Sequence, residues 1–233
     1  MSHLIQQNLS QIQQEIAICC QQANRQPNSV TLLAVSKTKP VQAILAAHQS
    51  GQYAFGENYV QEGVEKIQYC QQQGIQLEWH FIGPLQSNKT KLVAEYFDWM
   101  QTLSRAKIAD RLNAQRPAHL APLNVLIQIN ISDEQSKSGI QPNELIPLAK
   151  HLEKLPHLRL RGIMAIPENT DNPEEQIKVF SQMQNLFQQL QQQCPTQQID
   201  TLSMGMSADM ANAIKCGSTM VRIGTAIFGQ REM

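Results

Sequence analysis

One pattern constrains this chain more than any other. From residue 31 to residue 229, short apolar runs of strand type alternate with segments of helical periodicity. The strand-type runs fall at 31–36, 53–57, 77–83, 99–104, 124–130, 158–166, 200–205 and 220–229, the last together with its exit turn after Gly224-Thr225. Helical patterns fill the intervals at 41–50, 59–72, 87–96, 106–115, 142–155, 173–193 and 208–217. Repeated strand–helix units imply a parallel sheet covered by helices. Its strands should be near-continuous apolar runs, as these are, because both faces are buried. Eight such units predict an α/β fold closed as a (β/α)8 TIM barrel, at about 200 residues near the small end of its range. The rival, an open doubly wound sheet, wants a G-x-G-x-x-G turn after its first strand, and "AVSKTKP" (34–40) is not one.

A helix is expected ahead of the barrel, because Ile5, Leu9, Ile12, Ile16 and Cys20 recur at steps of three and four. With no linker evident, residues 1–233 are read as a single domain, a helix over 1–24 and a barrel over 31–229. Lys+Arg and Asp+Glu balance at 19 each, which argues against nucleic-acid binding through bulk charge. No apolar run reaches membrane-spanning length, and the N-terminus lacks the basic and apolar regions of a signal peptide. The five cysteines, Cys19, Cys20, Cys70, Cys194 and Cys216, are odd in number and show no C-x-x-C spacing. Zinc and a disulfide framework are therefore not expected, and a reducing cytoplasm is. No function is read into the glutamine runs 71–73 and 191–193.

In such a barrel the chemistry sits where strands end. Those ends carry Ser36 and Lys37, Glu57 and Asn58, His80, Ser104, Asn130, Met164, Ser203, Arg222 and Gly224. Each has a plain alternative. Lys37 reads equally as a solvated charge, His80 as a hydrogen-bonded core residue, Asn58 and Asn130 as caps, and Met164 as packing. Asp133, Glu134 and Lys137 read as a solvated loop, and Trp79 and Trp99 as core anchors. More specific are Gly205 to Ser207 and Gly224-Thr225, after the seventh and eighth strands, where barrels often bind phosphate. Ser207 or Asp209 would cap the short helix there, Ser207 and Thr225 offer hydroxyls, and Arg222 offers a charged fork. A phosphate site and a strand-end lysine in one mouth suit a phosphorylated aldehyde condensing with the neutral amine of Lys37, and pyridoxal 5′-phosphate (PLP) is the obvious candidate.

The segments "AVSKTKP", "FGENYVQE", "WHFIGPLQSNK", "GIMAIP", "MGMSADMANAI" and "GSTMVRIGTAIFG" resemble the motifs of the PLP homeostasis family, the YggS/PROSC-like PLP-binding proteins. They run from the first strand to the eighth. The resemblance implies a fold type III PLP barrel related to the N-terminal domain of alanine racemases. It also implies that Lys37 forms the Schiff base, with Lys39, beside Pro40, as the competing candidate. Ser207, Gly224 and Thr225 would bind phosphate, Arg222 would touch either the phosphate or the ring nitrogen, and Asn58, His80 and Met164 would line the ring pocket.

Racemases of this type use a second domain and an acid–base group from it. The sequence gives no sign of that domain, and no tyrosine near the strand ends replaces its group, although His80 is a base in principle. The resemblance thus implies a cytoplasmic, monomeric protein that buffers PLP and delivers it to PLP-dependent apoenzymes without turnover. It would influence amino-acid and keto-acid metabolism indirectly. Nucleic acid and membrane are not expected partners. The alternatives are a small PLP enzyme, a racemase or lyase, and a sugar-phosphate barrel enzyme with an aldolase-like lysine.

Overall fold

The computed structural model describes residues 2–132 and 138–230, so the loop expectation for Asp133, Glu134 and Lys137 lies outside the described residues. Eight parallel strands close in sequence order: β1 (Thr31–Val35), β2 (Ala54–Glu57), β3 (Glu78–Phe81), β4 (Trp99–Leu103), β5 (Leu123–Gln128), β6 (Leu158–Met164), β7 (Thr201–Ser203) and β8 (Met220–Ile223). The barrel closes between β1 and β8, with Leu33 opposite Arg222 and Ala34 opposite Ile223.

After α1 (Ser2–Gln22), the helices between strands are α2 (Val41–Gln49), α3 (Val60–Gln72), α4 (Thr90–Tyr96), α5 (Ala106–Gln115), α6 (Leu145–Leu152), α7 (Pro173–Gln193) and α8 (Met210–Lys215). The segments 87–96 and 142–155 each open with a 3-10 turn, Ser87–Lys89 and Pro142–Glu144. The run 220–229 divides into strand and exit turn. The ladder stops at Ile223, and Thr225–Phe228 winds into one helical turn, α9.

That turn is too short to cover the seam between β8 and β1, and α1 does so instead. It packs against α2, α8 and α9 through the stripe Ile5, Leu9, Ile12, Ile16 and Cys20, all buried. Each large aliphatic of that stripe contributes roughly 1.5–3 kcal/mol by leaving water. Asn8 donates to the Ile227 carbonyl (2.9 Å), and Arg25 donates to that of Ile214 (2.8 Å).

The main apolar core lies between strands and helices. Inside the barrel are two smaller apolar groups. One is Leu33, Ala54, Ile82 and Met220, and the other is Trp99, Leu126 and Met164. Polar side chains from four strands run between them.

Candidate functional site

The loop after β1 carries Lys37, half-buried. Ser36 accepts at its carbonyl from the Lys39 N–H (3.1 Å), which folds residues 36–39 into a tight turn. Its third residue, Thr38, has φ +62°, a left-handed conformation that β-branched residues rarely adopt. A buried cluster holds the turn in place. Lys66 of α3 donates to the Ser36 carbonyl (2.8 Å), to Glu57 (2.7 Å) and to Glu62 (2.6 Å). The Ser36 hydroxyl donates to Glu57 (2.7 Å), and the Thr38 N–H donates to Glu62 (2.6 Å). Burial pushes the Glu57 carboxyl up, against the opposing pull of Lys66. Lys39 points elsewhere, donating to the Gln230 carbonyl (2.7 Å) and tying the loop to the end of the chain.

The seam between β1 and β8 brings Gly224 beside this loop. A Cβ at Gly224 would lie 3.2 Å from the Val35 carbonyl oxygen, so a larger residue would crowd the mouth. Thr225, exposed, opens α9. Across β8, Gly205 (φ +100°) leads into the exposed Met206 and Ser207. Ser207 does not cap α8. Asp209 stands at that position, and its carboxylate turns back to accept from the Met206 N–H (2.7 Å).

Arg222 is buried at 4% exposure. It donates to the Ser203 hydroxyl oxygen (2.7 Å) and to the Ala165 carbonyl (2.9 Å). Among the described residues no carboxylate pairs with it. Burial pushes its pKa down to about 10, with Asp209 opposing, so it stays charged at neutral pH. A buried guanidinium with spare donors and no ion pair suits an anionic or lone-pair ligand. Asn58 follows β2, and its buried side-chain oxygen has no hydrogen-bond partner among the described residues. Gly83 packs on it so closely that a Cβ there would lie 2.0 Å from the Asn58 carbonyl oxygen.

His80 and Met164 are fully buried inside the barrel. Met164 packs with Trp99 and Leu126. The His80 ring stacks on Trp99 at 5.0 Å. Its Nε2 lies 2.7 Å from Glu78 and its Nδ1 lies 2.9 Å from the Gln101 amide nitrogen. Burial pushes His80 down, which favours the neutral ring, with Glu78 opposing. For Glu78 burial pulls upward, but the His80 bond and then Arg161 outweigh it and hold its carboxyl below the usual range.

The sequence reading missed Lys66, Glu62, Glu78 and Gln101. For Lys66 a signal existed, since it falls within the apolar stripe Val60, Val64, Ile67 and Cys70 of α3. For Gln101 the signal was a polar residue two positions from Trp99, on the same face of β4.

The alanine racemase N-terminal domain family matches residues 7–232. The chain is 73% identical over 228 residues to the pyridoxal phosphate homeostasis protein of Haemophilus influenzae, spanning 98% of this chain and 96% of that protein. This chain belongs to the pyridoxal phosphate homeostasis protein family. The family member of Escherichia coli is 59% identical over 229 residues, 98% of this chain and 97% of that protein. The structure of PipY from Synechococcus elongatus with PLP bound superposes with a TM-score of 0.83 at 33% identity, covering 97% of this chain and 100% of PipY. Alanine racemase from Corynebacterium glutamicum shares the fold, with a TM-score of 0.71 at 17% identity, over 98% of this chain and 62% of the racemase. No helix among the described residues is long and apolar enough to cross a membrane.

Proposed function

We propose that this protein binds PLP through Lys37 and serves PLP homeostasis, holding and delivering the coenzyme without turning over a substrate. One observation carries the reading. At the barrel mouth a buried Arg222, with no carboxylate partner among the described residues, and the backbone of Gly224-Thr225 share a seam with the braced turn that presents Lys37. When bound, PLP supplies an aldehyde that condenses with a primary amine, and an anionic phosphate.

The turn after β1 fixes where the Lys37 amine can reach. Ser207, Gly224 and Thr225 hold the phosphate, helped by first-turn N–H groups that have no partner within their helix. Arg222 supplies a fixed positive charge to the ring nitrogen or the phosphate. Asn58 contributes a side-chain oxygen that has no partner among the described residues. His80 and Met164 support the floor from within the barrel, His80 through Gln101. Lys39, engaged by Gln230, is disfavoured as the imine-forming amine.

A cytoplasmic site of action fits five cysteines that are all unpaired. PLP-dependent apoenzymes are the recipients in this reading, and the working form is a monomer, which sedimentation tests.

The deciding experiment is an absorption spectrum of the protein with PLP, before and after borohydride, followed by peptide mapping. A reduced adduct on Lys37, lost in Lys37→Ala, is expected. An adduct on Lys39, or none, overturns the assignment. The enzyme alternative is tested by exchange of α-deuterium from amino acids. Exchange abolished by Lys37→Ala would establish turnover and defeat the carrier reading.

A further inference from the structure

The polar line through the barrel runs from Arg222 to Glu78 without a gap. Arg222 lies 2.7 Å from the Ser203 oxygen, and that oxygen lies 2.7 Å from Gln101 Oε1. Gln101 Nε2 lies 2.9 Å from His80 Nδ1 and 3.2 Å from the Met220 sulfur, and His80 Nε2 lies 2.7 Å from Glu78. Ser203, Gln101, His80 and Arg222 are all buried. Glu78 is partly exposed and lines a cleft of about 580 Å3 together with Gln13, Thr31 and Tyr53.

Hydrogen-bond chemistry allows this line one direction of donation. A guanidinium only donates, so Ser203 must accept from it and pass its single proton to Gln101. Gln101 must then turn its oxygen to Ser203 and its NH2 to His80 and Met220. An NH2 facing Nδ1 makes that nitrogen an acceptor, so His80 is neutral with its proton on Nε2, aimed at Glu78. Every side chain is satisfied in one orientation only, and a half-satisfied buried network costs more than an apolar one. Gln101, with a fixed acceptor at one end of its amide and a fixed donor at the other, links the serine half of the line to the histidine half and bridges 102 positions of sequence to Ser203.

We propose that Gln101 is a positioning residue for Arg222. Through Ser203 it fixes the guanidinium at the mouth, and through His80 it anchors that arrangement on Glu78. The inference rests on Arg222 serving bound PLP, as argued above, but the orientation itself belongs to the apo-protein.

The experiment compares Gln101→Leu, Gln101→Glu and Ser203→Ala with wild type in two ways. Nitrogen NMR of the His80 and Arg222 side chains is recorded on the apo-protein, and PLP release to a scavenging apoenzyme is timed on the loaded protein. Wild type is expected to show His80 neutral with the proton on Nε2. In Gln101→Glu the new carboxylate accepts from Nδ1, and His80 is expected to be doubly protonated. In Gln101→Leu and Ser203→Ala the Arg222 nitrogens should shift, and release should quicken about tenfold, as expected for losing one buried charge-assisted bond. Borohydride should still fix PLP to Lys37 in all three. Unchanged Arg222 resonances in folded Gln101→Leu, or a His80 in folded Gln101→Glu that stays as in wild type, would overturn the proposal. Failure of wild type to take up PLP would instead overturn the functional reading, while the apo-protein spectra still judge Gln101.

Discussion

Lys66, a helix residue, donates a 2.8 Å hydrogen bond to the carbonyl of Ser36, the residue that precedes Lys37. The same ammonium bridges Glu57 and Glu62, and Glu62 in turn holds the Thr38 N–H. The turn that presents Lys37 is thus fastened from behind by a buried cation and two carboxylates. Its placement depends on α3 as much as on β1.

Removing that cation strands the acids. Lys66→Met is expected to destabilise the apo-protein by about 3–5 kcal/mol, the usual penalty for breaking a buried pair from one side. Urea unfolding measures it. A loss under 1 kcal/mol would mean that the cluster does not brace the turn.

Thr38 sits at φ +62° in that turn. Asn tolerates this conformation far better than a β-branched residue. Thr38→Asn should stabilise the protein by about 1 kcal/mol, since the N–H bond to Glu62 is kept. A destabilised variant would show that the threonine side chain has a role of its own.

Burial holds His80 below its ordinary pKa, with Glu78 and Asp98 pulling upward and Arg161 adding to the depression. Below the unfolded value of 6.5, the unfolded chain therefore binds a proton that the folded one refuses. The stability due to neutral His80 is present above that pH and drains away as pH falls toward the folded pKa, by up to about 1.4 kcal/mol per pH unit. The urea midpoint of wild type should fall more steeply from pH 7 to pH 5 than that of His80→Gln. Parallel curves would show that the imidazole is not held neutral.

Gly83 touches the Asn58 backbone so closely that a methyl group would lie 2.0 Å from its carbonyl oxygen. Gly83→Ala should cost about 1–3 kcal/mol as overpacking. It should also displace Asn58 and weaken PLP uptake, measured by fluorescence titration. Full stability with unchanged uptake would mean that the contact does not set the rim.

Eight apolar strand-type runs alternating with segments of period 3.6 made the barrel legible from residues 31 to 229, and the spacing of Ile5, Leu9, Ile12 and Ile16 made the leading helix legible. The positions of the strand ends were legible too, because a parallel barrel delivers those ends to one face, and Lys37, Arg222 and Gly224 stand at them. The end of β8 at Gly224 was legible as well, but not the helical form of the turn beyond it, which Thr225–Phe228 adopts on packing beneath α1.

The sequence by itself determined the order and kind of the elements, because side-chain periodicity is a local property of each segment. Tertiary structure alone decided which polar groups meet. Lys66 joins Ser36 across 30 positions and Ser203 joins Gln101 across 102, through bonds set by barrel closure and helix packing. A hydrogen bond requires about 3 Å and a direction, and neither is encoded in residue spacing once the partners lie on different elements.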